Sequence, residues 1–203
     1  MTALPLRAVR VPLARSFMLG AALGLAVIAR WAATVQVRAD GLLTGLVFGL
    51  LLLGLAVAAG WRAPTAGWTR PATIHLASVG AGLAVGLGLV ALALVGGRGD
   101  LPGLRPAAPF LPWVVVTALV ASAEEIVLRG VLFDVLEEHA GAAPAILVTA
   151  LAFALIHVPF YGWQVLPLDL GVGLVFGGLR LLSGGVTAPA VAHVIADLAT
   201  WWI

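Results

Sequence analysis

Two adjacent glutamates and an arginine, Glu124, Glu125 and Arg129, stand in the stretch "ASAEEIVLRG", flanked on both sides by apolar runs. Downstream, "FALIHV" carries Phe153 and His157, and "HVIAD" carries His193 and Asp197. Glu125 and Arg129, Phe153 and His157, and His193 and Asp197 are each separated by four positions, so on helices each pair shares one face. Glu124 projects about 100° away from Glu125 and is free for another task. A carboxylate and two imidazoles held away from bulk water suit hydrolysis by an activated water. Glu124 can take the water's proton, and an imidazole can hold the water, bind a metal or stabilise an oxyanion. Asp197 can orient His193 or, if protonated, contribute to the oxyanion site.

Those groups are expensive where they stand. The chain has 203 residues, of which 62% are hydrophobic and only 10% charged, and its mean hydropathy is +1.13. A soluble domain carries roughly 25% charged residues, so lipid must be the solvent here. The composition defines an all-α, polytopic transmembrane helix bundle. On insertion scales a charge at the centre of a spanning helix costs about 2.5–3.5 kcal/mol. Ionisable residues inside apolar segments therefore normally face the bundle interior and mark a site. Arg30, His75, Glu124, Glu125, Arg129, Asp134, His157, His193 and Asp197 are such residues.

Composition also excludes. With no cysteine there is no disulfide, thiol nucleophile or thiolate metal site. Any metal must be held by His and carboxylate groups. All eleven basic residues are arginines, scattered rather than clustered with aromatics, and the formal net charge is only +2, which argues against a nucleic-acid partner.

About seven spans position these residues: 16–37, 41–60, 73–97, 110–136, 145–158, 166–182 and 187–203. The first is read as a retained span rather than a signal peptide, because no small-residue cleavage site follows it. Residues 1–109 form the N-terminal membrane helices and 110–203 the helices that carry the chemistry, in one continuous membrane domain without internal repeats. Glycines 80, 82, 86 and 88 in the third span predict close helix packing. "EEHAGAAP" reads as a polar break. Arg7, Arg10, Arg15, Arg62, Arg70 and Arg180 outnumber Arg38, Arg98 and Arg105 on the other side, which favours a cytoplasmic N-terminus.

Taken singly, each polar residue has a structural explanation. Glu125–Arg129 is foremost a structural ion pair. Asp134, Glu137, Glu138 and His139 sit at a helix end where solvation is the default, and His75 lies near an interface. Arg30 is expected to snorkel to a headgroup and Arg180 to act as an interfacial anchor. The seven Trp residues are expected to form interfacial belts. Taken together, Glu124, His157, His193 and Asp197 have no structural need to coexist in one apolar bundle.

Marks of other intramembrane hydrolases are missing. There is no HExxH and no GxGD, and Ser183 in "LLSGG" lacks the upstream glycine of a GxSG motif. In chain order, however, "EEIVLRG" fits EExxxR, "FALIH" fits FxxxH and "HVIAD" fits HxxxN/D. Over about residues 110–203 the chain resembles the CAAX-processing and bacteriocin-processing (CPBP) intramembrane proteases, also described as type II CAAX prenyl endopeptidases. The resemblance implies an endopeptidase acting on a peptide or protein within the bilayer. It implies that Glu124 activates water together with His157, and that His193 and Asp197 complete the site and stabilise the oxyanion. Glu125 and Arg129 become the supporting pair, and Phe153 shapes the pocket.

Asp197 stands where many members carry Asn. The family is labelled metalloprotease, with Glu124, His157 and His193 as ligands for a divalent metal such as zinc, while a metal-free route has also been proposed for it. Both remain open. Bacterial members are linked to bacteriocin maturation, self-immunity or peptide processing, and the lysine-free, Ala- and Arg-rich composition points to a bacterial cell membrane. Two other readings compete: a non-catalytic membrane scaffold or immunity protein that retains the pocket, and a small transporter whose polar groups form an ion path.

Overall fold

The computed structural model describes residues 13–38, 40–61, 72–96 and 108–202. Arg7, Arg10, Arg62, Arg70, Arg98 and Arg105, which carry most of the orientation argument, lie outside the described residues. Among the described residues the chain is helical throughout. The helices are α1 (Leu13–Trp31, prolonged by a wider turn, Ala32–Gln36), α2 (Gly41–Ala58), α3 (Ala72–Gly96), α4 (Phe110–Ala140), α5 (Ala142–Tyr161), α6 (Leu166–Ser183) and α7 (Thr187–Ala199). The protein is an all-α polytopic bundle.

Six of these helices are long and apolar enough to cross a bilayer. The seventh expected span is shorter than its sequence suggested. Helix α7 has 13 residues, so it rises about 20 Å and falls short of the roughly 30 Å of hydrocarbon. The rest of that stretch turns at Thr200–Trp202. There Trp201 packs on Phe110 and Trp113 at the start of α4, with ring centroids 5.0 and 4.9 Å away. These aromatics tie the end of α7 to the start of α4.

The polar break expected at "EEHAGAAP" is a single residue. Helix α4 continues through Ala140, and α5 begins at Ala142. Gly141 between them holds φ 87° and ψ 174°, a backbone region that is essentially glycine-only. One such residue reverses the chain where a longer loop was expected.

Small residues set the helix contacts. Helix α3 packs against α7, α5 against α6, α2 against α4, and α4 against α7. A Cβ built on Gly86 would lie 2.8 Å from the Ile195 Cβ and 3.0 Å from the Ala192 carbonyl. One built on Gly82 would lie 2.5 Å from the Ala188 carbonyl. The expected glycine packing is thus realised at 82 and 86, while 80 and 88 face open space. This contact fixes the helix that carries His193 and Asp197. Gly86→Leu should therefore push α7 away and destabilise the protein by about 1–3 kcal/mol, the range for overpacked cores. Gly88→Leu, with no atom to meet, should leave the melting temperature in detergent unchanged.

The core runs through Leu19, Leu23 and Val27 of α1, Phe48, Leu52 and Ala56 of α2, and Val127, Leu128, Phe153 and Phe176. On α1 the inward positions recur every four residues. That stripe continues to Arg30.

Candidate active site

Helix α4 is not a plain α-helix at the motif. It is α-helical over Phe110–Glu125, widens to π-helical turns over Ile126–Leu132, and returns to α-helix over Phe133–Ala140. Such widened turns recur at functional sites. This one begins immediately after the two glutamates, and both are turned inward, Glu124 at 5% exposure and Glu125 at 0%.

Arg180 secures the widened segment. Its Nε donates to the Arg129 carbonyl at 2.8 Å, and its Nη2 donates to Asp134 Oδ1 at 2.6 Å, while the guanidinium lies over the Phe133 ring. The expectation of an interfacial anchor at Arg180 gives way to a bracket between α6 and α4. A backbone carbonyl in hydrocarbon needs a donor, and Arg180 provides one. His139 likewise turns back on its own helix, its Nδ1 donating to the Val135 carbonyl at 2.8 Å.

Glu125 and Arg129 form the predicted pair. Arg129 Nη1 donates to Glu125 Oε1 at 2.8 Å, with both side chains fully buried. Arg129 Nη2 donates to the Gly173 carbonyl at 3.1 Å, and the guanidinium sits against the Phe153 and Phe176 rings. The pair has a second function that spacing alone did not indicate. His193, 68 positions later, places Nδ1 3.1 Å from the same Glu125 Oε1. An ionised Glu125 can only accept there, so His193 donates from Nδ1 and its Nε2 is directed elsewhere.

It is directed at the other two acids. His193 Nε2 lies 3.9 Å from Glu124 Oε2 and 3.5 Å from Asp197 Oδ2. His157 joins from α5, its ring 4.7 Å from that of Phe153, which in turn lies 5.2 Å from the His193 ring. Phe153 thus separates and aligns the two imidazoles. His157 Nδ1 donates to the Phe153 carbonyl at 2.8 Å, and because a carbonyl only accepts, the neutral ring keeps its lone pair on Nε2. Glu124 lies within electrostatic reach of His157, His193, Arg30 and Asp197. The residues singled out on three separate stretches occupy one cluster.

Two of its members were not foreseen. Asp169, near the start of α6, brings Oδ2 to 3.7 Å from His157 Nδ1. As the one acid inside the sixth apolar span it was visible in the sequence, though no four-residue spacing pointed to it. Arg30 does not snorkel outward. Its guanidinium lies 4.8 Å from the Phe48 ring centre and 5.1 Å from that of Phe160. The inward stripe Leu19, Leu23, Val27 was the available signal, since Arg30 falls three residues beyond its last member.

Residues 106–199 match the family model described as Type II CAAX prenyl endopeptidase Rce1-like. Over this stretch, a little under half of its length, the chain is similar to that family. No curated protein and no solved structure matches it. The Rce1-like match spans the start of α4 to the end of α7, the stretch bearing Glu124, His157, His193 and Asp197. With its six helices long and apolar enough to cross a bilayer, the protein is an integral multi-pass membrane protein, and its C-terminal stretch is similar to CAAX-type membrane proteases.

As for a metal, among the described residues no three His, Asp or Glu side chains stand together as a ligand set. Glu124, His157 and His193 share the cluster without converging on one point.

Proposed function

We propose that the protein is an intramembrane endopeptidase in which Glu124 activates a water, without a step routed through a metal. One observation carries this reading: a buried carboxylate, Glu124, faces an imidazole, His193, whose far nitrogen is held by a second buried carboxylate, Glu125. Holding one ring nitrogen fixes which face and which nitrogen the other presents.

In this mechanism Glu124 takes a proton from water as the hydroxide adds to the scissile carbonyl carbon. His157, accepting through Nε2, orients that water. The negative charge moves to the carbonyl oxygen, where His193 donates from Nε2 in its protonated form and Asp197 assists as an acid. Glu124 then passes its proton to the departing amine, the C–N bond breaks, and the carboxylate is regenerated. Closely placed donors of this kind typically contribute a factor of 10²–10³ each.

We further place the N-terminus in the cytoplasm of a bacterial cell, on the arginine tally and the lysine-free composition. Processing of a bacteriocin-like peptide is one substrate assignment compatible with the site.

The test is cleavage of a pool of apolar peptides by the protein in nanodiscs, read by mass spectrometry. The wild type should cut, and His157→Ala should cut about 10²-fold more slowly. A strong chelator should leave the rate unchanged. Loss of activity with the chelator, restored by zinc, would replace the metal-free route with a metal-bound water. Equal turnover by His157→Ala would remove His157 from the chemistry. A wild type that cuts nothing would favour the scaffold reading.

A further inference from the structure

Among the described residues, Arg30 is a partly buried cation that no carboxylate pairs with. Among the described residues it makes no side-chain hydrogen bond and no ion pair, and its buried Nε has no partner. Every other described arginine in the bundle core is anchored: Arg129 on Glu125 and the Gly173 carbonyl, Arg180 on Asp134 and the Arg129 carbonyl. Arg30 is instead clasped by two rings, Phe48 from α2 and Phe160 from α5. Those rings hold the guanidinium in place while leaving its donors unused.

Its surroundings say where those donors work. Arg30 lies within electrostatic reach of both Glu124 and Tyr161, yet forms no ion pair with Glu124. Tyr161 in turn stacks on His157 at 6.0 Å. The cation therefore belongs to the same cluster as the water-activating groups, on the side formed by α1, α2 and the end of α5. A planar guanidinium gripped by aromatic walls is suited to bidentate recognition of a carboxylate, and in a low-dielectric setting such a pair is strong.

We propose that Arg30 is a substrate-binding residue that recognises a carboxylate on the bound peptide, beside the cleavage site. This deepens the protease reading, because a fixed anion site next to Glu124 sets how far from that carboxylate the chain is cut. The carboxylate has two sources, the free C-terminus of the peptide or an Asp or Glu side chain within it. The alternative interfacial role for Arg30 fails to account for the two rings that hold it inside.

The experiment measures binding rather than turnover. Glu124→Ala protein in phosphatidylcholine nanodiscs is titrated with an N-dansylated apolar hexapeptide in three forms: free acid, C-terminal amide, and amide with one internal Glu. With Arg30 present, at least one carboxylate-bearing form should bind about tenfold or more tightly than the plain amide, and which one identifies the source. In Arg30→Gln that preference should vanish. Arg30→Lys, which keeps the charge but loses the two-pronged geometry, should retain part of it. Thermal melts and gel filtration of all three proteins establish that they are folded.

Equal affinity for acid and amide, failure of every form to bind, or a preference unchanged in Arg30→Gln would each overturn the proposal. Carboxylate-dependent binding through Arg30 in a protein whose wild type cleaves nothing would sink the hydrolytic mechanism and leave this site standing.

Discussion

Glu124→Gln should lower peptide cleavage by about 10²–10⁴-fold at unchanged protein level, the range for loss of a positioned general base. That corresponds to about 3–5 kcal/mol of transition-state stabilisation. The substitution keeps the shape of the side chain and its ability to hydrogen-bond, and it removes only the proton acceptor. Stability should not fall. Glu124 makes no ion pair as close as the one between Glu125 and Arg129, its nearest basic atom being His193 Nε2 at 3.9 Å, and neutralising an acid at 5% exposure removes a desolvation cost. The measurement is kcat and KM for any peptide the wild type cleaves, with a thermal melt beside it. A fall in kcat with KM held constant identifies a group that acts in the transition state. Undiminished kcat would assign the water to another base, and the geometry then leaves Asp197 as the next acid beside His193.

How much of this was legible in the sequence follows from what each feature depends on. Helix number and approximate span depend on apolar length, and a membrane makes that signal strong because every backbone group must be satisfied internally. The four-residue spacings of Glu125 with Arg129 and His193 with Asp197 depend only on helical pitch, and both appear as contacts. The features that were missed depend on tertiary packing. The widened turn after Glu125 needs the Arg180 donor from another helix, and nothing in "EEIVLRG" announces it. The partnership of Glu125 with His193 crosses 68 positions, so it exists only once Gly82 and Gly86 have allowed α7 to close on α3. Arg30 was misread because an arginine near the end of a span snorkels by default. The inward stripe of α1 overrides that default, since Phe48 and Phe160 offer the cation two ring faces.

Arg129→Ala should be the most damaging change to the fold, and its effect on activity should be separable from its effect on stability. Removing the arginine leaves the Glu125 carboxyl at 0% exposure without its closest cation and with only His193 as a partner. Breaking a buried pair in this way costs about 3–5 kcal/mol, which for a chain of this size lowers the melting temperature by on the order of 10 °C. Loss of the donor to the Gly173 carbonyl and of the packing between Phe153 and Phe176 acts in the same direction. Replacing both partners, Glu125→Met with Arg129→Met, removes the stranded charge, so a melt in detergent should recover most of the lost stability. Cleavage should not recover with it. The double variant still lacks the Glu125 oxygen that accepts the hydrogen bond from His193 Nδ1, so the His193 ring is free to rotate and turn Nε2 away from Glu124. If activity returned together with stability, the pair would be a structural brace alone. If stability returned while turnover stayed low, Glu125 would be a positioning residue for His193, with Arg129 holding the Glu125 carboxyl in place through the 2.8 Å bond.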